Sequence, residues 1–168
     1  MLFTDTEMPT PALMTYIRER FLKAHRQELP ELVRLARKVE TRHADDVDAP
    51  HGLTQALQAV TRRLEAHIHQ EEAVVFPALK EGNFGQVQDA FARLRHDHAD
   101  HETALNRIAA ITHGFRLPPD ACGSWRRLYA GLGKLAEDLD EHRYLENEVL
   151  FPRFETEMQS PGHETVRR

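Results

Sequence analysis

The chain is poor in most of the features that would take it out of the class of helical globular proteins. It has one cysteine, Cys122, in 168 residues, so no internal disulfide framework holds it together. Such sparing use of thiols suits a reducing cytoplasm. No apolar run approaches the roughly 20 residues needed to span a bilayer, which argues against a membrane protein. Positive charge is in deficit: 22 Lys and Arg stand against 27 Asp and Glu, a formal net charge of −5. A nucleic-acid partner is usually met by a basic face, so that class is excluded. The opening stretch MLFTDTEMPTPALMTYI has neither a basic leader nor a long apolar core, and does not read as a secretory signal. Convincing strand alternation is also missing. With 40% hydrophobic and 29% charged residues, the chain has the material for one core and one domain. Histidine is the exception to this sparseness, with eleven copies.

A block that occurs twice accounts for several of those histidines. Leu53, Leu57, Val60, Leu64, His67, Glu71 and Val74 follow at alternating steps of 4 and 3 residues. Seventy-five residues later, Leu128, Leu132, Leu135, Leu139, His142, Glu146 and Val149 repeat the steps and the residue types. Each block then closes on Phe-Pro, at Phe76-Pro77 and Phe151-Pro152. Steps of 4 and 3 trace one face of a helix, the stripe that meets a core. His and Glu therefore occupy positions where a bundle would place Leu. Buried without a partner, such groups cost several kcal/mol, on the order usual for polar burial. A metal ion is the simplest compensation.

Breaker-rich links divide the chain into four helical segments. These run over about 11–43, bent or restarted at Pro30, about 53–80, about 86–112 and about 121–157, with a frayed tail at 158–168. The reading is a single all-α domain over 1–168, with its core at about 12–157. It is an antiparallel four-helix bundle in which the first helix pair is a pseudo-twofold repeat of the second. The same rhythm runs through the other two helices. His98 and His101 lie on the stripe Phe91, Leu94, His98, His101, Leu105, Ile108. His25 and His43 lie on the stripe Leu22, His25, Leu29, Leu32, Ala36, Val39, His43.

Positions i and i+4 stack on one helical face, so His67 with Glu71, and His142 with Glu146, each aim two ligands at one interior point. Glu72 falls about 100° away and reads as solvated or supporting. His51, His113 and His163 fall in links or the tail and read as surface residues. The interior collects His43, His67, His98 and His142 with Glu71 and Glu146, and His25 and His101 are further candidates. That set is too large for one tetrahedral zinc and suits a pair of metals about 3.5–4 Å apart. Imidazole with carboxylate is compatible with iron and less so with copper(I) or magnesium. Ferritin-type bundles use Glu-x-x-His instead, and no H-E-x-x-H of a zincin occurs. Cys122, near a helix start, reads as a small packing residue, although that position can lower a thiol pKa.

Five stretches carry a resemblance to a known family: HRQELPEL at 25–32, KVETRH at 38–43, HIHQEEAVVFP at 67–77, PPDAC at 118–122 and DEHRYLENEVLFPR at 140–153. Together they resemble the hemerythrin-like domain of the di-iron family that repairs iron–sulfur clusters, over about residues 12–155. The resemblance implies His43, His67, Glu71, His98, His142 and Glu146 as ligands, and the spacing from PPDAC selects His98 over His96 or His101. It implies two iron ions, oxo- or hydroxo-bridged, with Glu71 and Glu146 spanning them. The role it implies is repair of clusters damaged by nitrosative or oxidative stress, by donating iron or by binding and reducing nitric oxide. Damaged iron–sulfur proteins and oxygen or nitric oxide are then the partners, in a monomer or homodimer. A gas carrier or sensor without catalysis is the alternative. Two departures stand out. Leu22 occupies the place of a family ligand histidine, which leaves an open position or calls on His25. The Cys-Cys-Gly-Gly motif of the cysteine-containing domain in many members is also missing from these residues.

Overall fold

The structure is a computed structural model and describes residues 7–159. Among the described residues there is no strand, and the helices assemble into four antiparallel rods. The first rod is α1 (Thr10–Ile17), a π-helical turn at Arg18–Leu22 and α2 (Lys23–Arg42). The second is α3 (Leu53–Gln70), a π-helical turn at Glu71–Val75 and α4 (Phe76–Glu81). A short 3-10 turn, Phe84–Gln86, leads to the third rod, α5 (Gln88–Ile111). The fourth is α6 (Gly123–Tyr144), a π-helical turn at Leu145–Leu150 and α7 (Phe151–Gln159). The expected four segments and their links therefore hold to within a few residues. Residues 160–168, most of the expected tail, and His163 among them lie outside the described residues.

The repeat has a backbone counterpart. A proline within a helix has no N–H to donate, and its ring crowds the carbonyl four residues earlier. Before each Phe-Pro the chain widens by one residue: the Phe76 N–H bonds the Glu71 carbonyl and the Phe151 N–H bonds the Glu146 carbonyl. Both helices therefore continue past their prolines instead of ending there. In the fourth rod Val149 and Leu150 are both buried, but in the second the widening moves the stripe on by one. Val75 is buried while Val74 is 39% exposed, contrary to the regular spacing, which put Val74 inside. The first rod also differs from expectation: α2 runs through Pro30 without a break, and the irregular turn is at Arg18–Leu22.

The core is a continuous column of Leu, Ile, Val and Phe, with Leu13, Phe21, Leu35, Leu57, Leu94, Leu128 and Phe151 among its buried members. Burying each such side chain contributes about 1.5–3 kcal/mol. α2 packs against α3 and α6, and α3 against α5, while the α5–α6 seam is looser. Glu40, near the end of α2, fixes how the second rod starts. Its carboxylate accepts the backbone N–H groups of Gly52 (2.9 Å) and Thr54 (2.7 Å) and the Thr54 hydroxyl (2.5 Å). This is an N-cap supplied by another helix, at a residue, Gly52, whose φ of 92° favours glycine.

Candidate metal centre

Halfway along this column the apolar filling is interrupted. His67 and Glu71 project from the second rod, His98 from the third, His142 and Glu146 from the fourth, and all five are buried. One ligand atom from each lies within 4.8 Å of every other. The separations are 3.3 Å for His67 Nε2 to Glu71 Oε2 and 2.9 Å for both His98 Nε2 to Glu146 Oε1 and His142 Nε2 to Glu146 Oε2. His142 Nε2 lies 3.6 Å from Glu71 Oε1, and His67 Nε2 3.8 Å from Glu146 Oε1. Despite this crowding, His67 Nε2, His98 Nε2, Glu146 Oε1 and both Glu71 oxygens have no hydrogen-bond partner. They approach one another at angles that do not make hydrogen bonds, because they face a common interior point. Buried polar atoms left in that state are costly, so their convergence calls for a cation.

The other ring nitrogen of each histidine is held from behind. His67 Nδ1–H donates to Asp97 Oδ2 at 3.0 Å, and His98 Nδ1–H donates to Asn147 Oδ1 at 2.9 Å. His142 Nδ1 pairs with His25 Nε2 at 3.3 Å. Fixing Nδ1 in this way leaves Nε2 as the ligand atom and fixes the ring orientation, as outer partners do in metal sites. These three bonds also join the second rod to the third, the third to the fourth and the fourth to the first. Arg95 extends this ring, donating to the Asn147 carbonyl at 3.2 Å and to Glu155 Oε1 at 3.0 Å. Phe21 stacks on His142 at 5.7 Å, and Phe151 lies parallel to His98 at 6.4 Å.

Charge in this pocket is decided by competition. Burial disfavours the imidazolium of His142, but Glu146 outweighs it and pushes the pKa up to about 9. Burial likewise opposes charge on His67, where Glu71 and then Asp97 raise its pKa well above the ordinary value. Burial would raise the Glu146 carboxyl, yet His142 and its other partners hold it well below the ordinary range. Glu71 moves up instead, from burial first and then from repulsion by Glu146. Without a metal, protons therefore supply the positive charge that the carboxylates require.

The structure brings together five of the seven expected ligands. His25 is fully buried beside the cluster but sits behind His142, as an orienting partner. His43 is a correction. It follows α2 with its ring 4.8 Å from Trp125, away from the group. It shares the stripe of His25 but stands 18 residues further along, about 27 Å at the helical rise. The stripe gives the direction in which a side chain points and is silent on its level. Leu22 is buried in the core at its π-helical turn. His101 lies beside His67, with ring centroids 5.2 Å apart, outside the five. Glu72 is half-buried and accepts from Arg26 at 2.8 Å. Cys122 is half-buried at the start of α6; burial would raise its pKa, but His43 and the Trp125 and Ser124 amides lower it to about 7. Sequence reasoning missed Asp97 and Asn147. Their only signal is adjacency, since each neighbours a ligand in the chain and so lies just off the stripe.

Three imidazoles and two carboxylates converging inside an all-helical bundle mark a carboxylate–histidine metal-binding protein, and the donor set fits a binuclear iron site. The Hemerythrin HHE cation binding domain matches residues 19–154, and the chain belongs to that family. It is 39% identical over 147 residues to the iron–sulfur cluster repair protein YtfE of Pectobacterium carotovorum, covering 88% of this chain and 66% of that protein. To its counterpart in Musicola paradisiaca it is 39% identical over 145 residues, or 86% of this chain and 65% of the relative. The Salmonella newport protein is 36% identical over 146 residues, or 87% and 66%. The chain thus spans just under two thirds of the length of these relatives. No helix among the described residues is long and apolar enough to cross a membrane.

Proposed function

We propose that the chain is a di-iron protein of the cytoplasmic response to nitrosative and oxidative stress, which helps restore damaged iron–sulfur clusters. The observation that carries this reading is the set of five converging, partnerless ligand atoms in a chain so similar to repair proteins. His67, Glu71, His98, His142 and Glu146 hold the metals, with Glu71 and Glu146 as the bridging carboxylates. Two irons held there would supply electrons and a place for nitric oxide or oxygen to bind. Asp97, Asn147 and His25 keep the three imidazoles in their ligating tautomer. Phe21, Phe151 and the surrounding leucines exclude bulk water, which strengthens every electrostatic contact inside. Three histidines would be a sparse imidazole set for two metals, because Leu22 supplies none and His25 is engaged by His142. So small a donor set would suit the donation of iron to a damaged cluster.

The test begins with the iron content and visible absorption of anaerobically purified protein, before and after exposure to air. About two irons per chain with charge-transfer absorption supports the reading, and zinc alone or no metal refutes it. The next step is recovery of an oxidatively damaged iron–sulfur enzyme on addition of the iron-loaded chain. A His67→Ala/Glu71→Ala double variant should lose that activity. Recovery that survives the double change would refute the role of the centre.

A further inference from the structure

On the loose seam between α5 and α6 a cavity of about 200 Å³ reaches the centre. Its inner end is formed by His98, His101 and His142, and Leu105, Phe115 and Leu139 wall it. A water molecule's share of liquid volume is about 30 Å³, so this space takes a few small molecules and no metabolite of ordinary size. Of the three inner histidines, His98 and His142 are among the five convergent groups and have their Nδ1 atoms engaged. His101 differs in both respects. It is 6% exposed and stands three residues beyond His98 on α5. Its ring meets His67 edge-on at 73°, while its own nitrogens make no hydrogen bond among the described residues and border the cavity. Its nitrogens are not among the buried unpaired atoms and so are open to the cavity, the route by which a small ligand would reach the metals.

We propose that His101 is a positioning residue for the small ligand, its ring N–H donating a hydrogen bond to the acceptor end of a two- or three-atom molecule at the inner end of the cavity. The inference rests on the di-iron reading above and deepens it by naming the group that discriminates among ligands. The lining is mostly apolar, with Glu102, Asp140 and Arg143 also on it, and its size admits nitric oxide, oxygen or azide alike. A donor beside the convergent histidines favours the ligand that carries negative charge on its outer atom.

The test compares iron-loaded wild-type protein with His101→Leu and His101→Gln, using azide as the probe. Iron per chain and thermal melting are measured first, then azide affinity by absorption titration. His101→Leu should keep the wild-type iron content and bind azide about threefold to tenfold more weakly, the weight of one hydrogen bond. His101→Gln, which keeps a donor and folds without an apolar replacement, should recover most of that loss. Azide affinity within twofold of wild type in both variants overturns the proposal. So does loss of iron in both, which would make His101 a metal ligand. Wild-type protein that takes up no iron overturns the di-iron reading itself, a result separate from either of these.

Discussion

The sharpest consequence of the centre concerns the protein without its metal. Glu71 is fully buried and both its carboxylate oxygens lack hydrogen-bond partners. Leaving a buried acceptor unsatisfied costs about 1–3 kcal/mol. Removing one member of a buried charge cluster normally destabilises, because it strands the others. Here the others keep partners: His142 retains Glu146 at 2.9 Å, and His67 retains Asp97 at 3.0 Å. The substitution Glu71→Leu also ends the repulsion between Glu71 and Glu146, which raises the Glu71 carboxyl. The metal-free variant should therefore be more stable than metal-free wild type, by about 1–2 kcal/mol. For a chain of this size that is an increase in Tm of about 2–8 °C.

Iron should reverse the order. A ligand present at a hundred times its Kd adds about 2.7 kcal/mol to the native state that binds it. Wild-type protein should gain that stabilisation, and Glu71→Leu should gain little of it. The assay is far-UV circular dichroism melting of both proteins, chelator-treated and iron-loaded, under anaerobic conditions. If the cluster were instead a structural polar network, the metal-free variant would fall by about 3–5 kcal/mol, as broken buried pairs do. A lower Tm of that size for metal-free Glu71→Leu would falsify the argument that these groups are arranged for a cation.

Other expectations follow from particular contacts. Asp97→Asn should weaken iron binding about tenfold, the lower end for loss of an outer partner, because Asp97 is 40% exposed; competition against a calibrated chelator measures it. The pKa of His142 rises from 6.5 unfolded to about 9 folded. Its contribution to metal-free stability is therefore complete below about pH 6.5 and is lost as pH climbs toward 9. Iron uptake near pH 7.5 should accordingly release protons, and much less proton should appear above pH 9; calorimetry in buffers of different ionisation enthalpy reads this directly. Glu40→Ala should cost about 0.5–2 kcal/mol by uncapping α3, with unchanged iron content, and a loss of iron would show that the link shapes the centre. The Glu40 carboxyl is lowered despite partial burial, because Thr54 and Gly52 donate to it, so its contribution is present above about pH 4.5 and is lost as pH falls further.

How far the sequence could be read depends on which coordinate of a helical side chain is asked for. Spacing fixes the angle around the helix axis, and the angle was legible: His67, Glu71, His98, His142 and Glu146 all point inward as their stripes require. Level along the axis is set by how the rods are shifted against one another, and no single helix contains that information. His43 shows the difference, being correct in angle and about 27 Å away in height. Backbone irregularity is a third coordinate. The π-helical turn after Gln70 displaces one residue from the stripe, so Val74 turns outward where regular spacing had it buried, whereas after Tyr144 the equivalent Val149 stays inside. Each of these two turns is followed by Phe-Pro, at Phe76-Pro77 and Phe151-Pro152, although proline alone is no signal, since α2 runs through Pro30 unwidened and the turn at Arg18–Leu22 has no proline after it. In both, the Phe amide, of Phe76 or Phe151, bonds the carbonyl of Glu71 or Glu146. Each Phe-Pro therefore fixes the backbone of the carboxylate that faces the centre, and the doubled motif belongs to the metal site as much as the doubled His and Glu do.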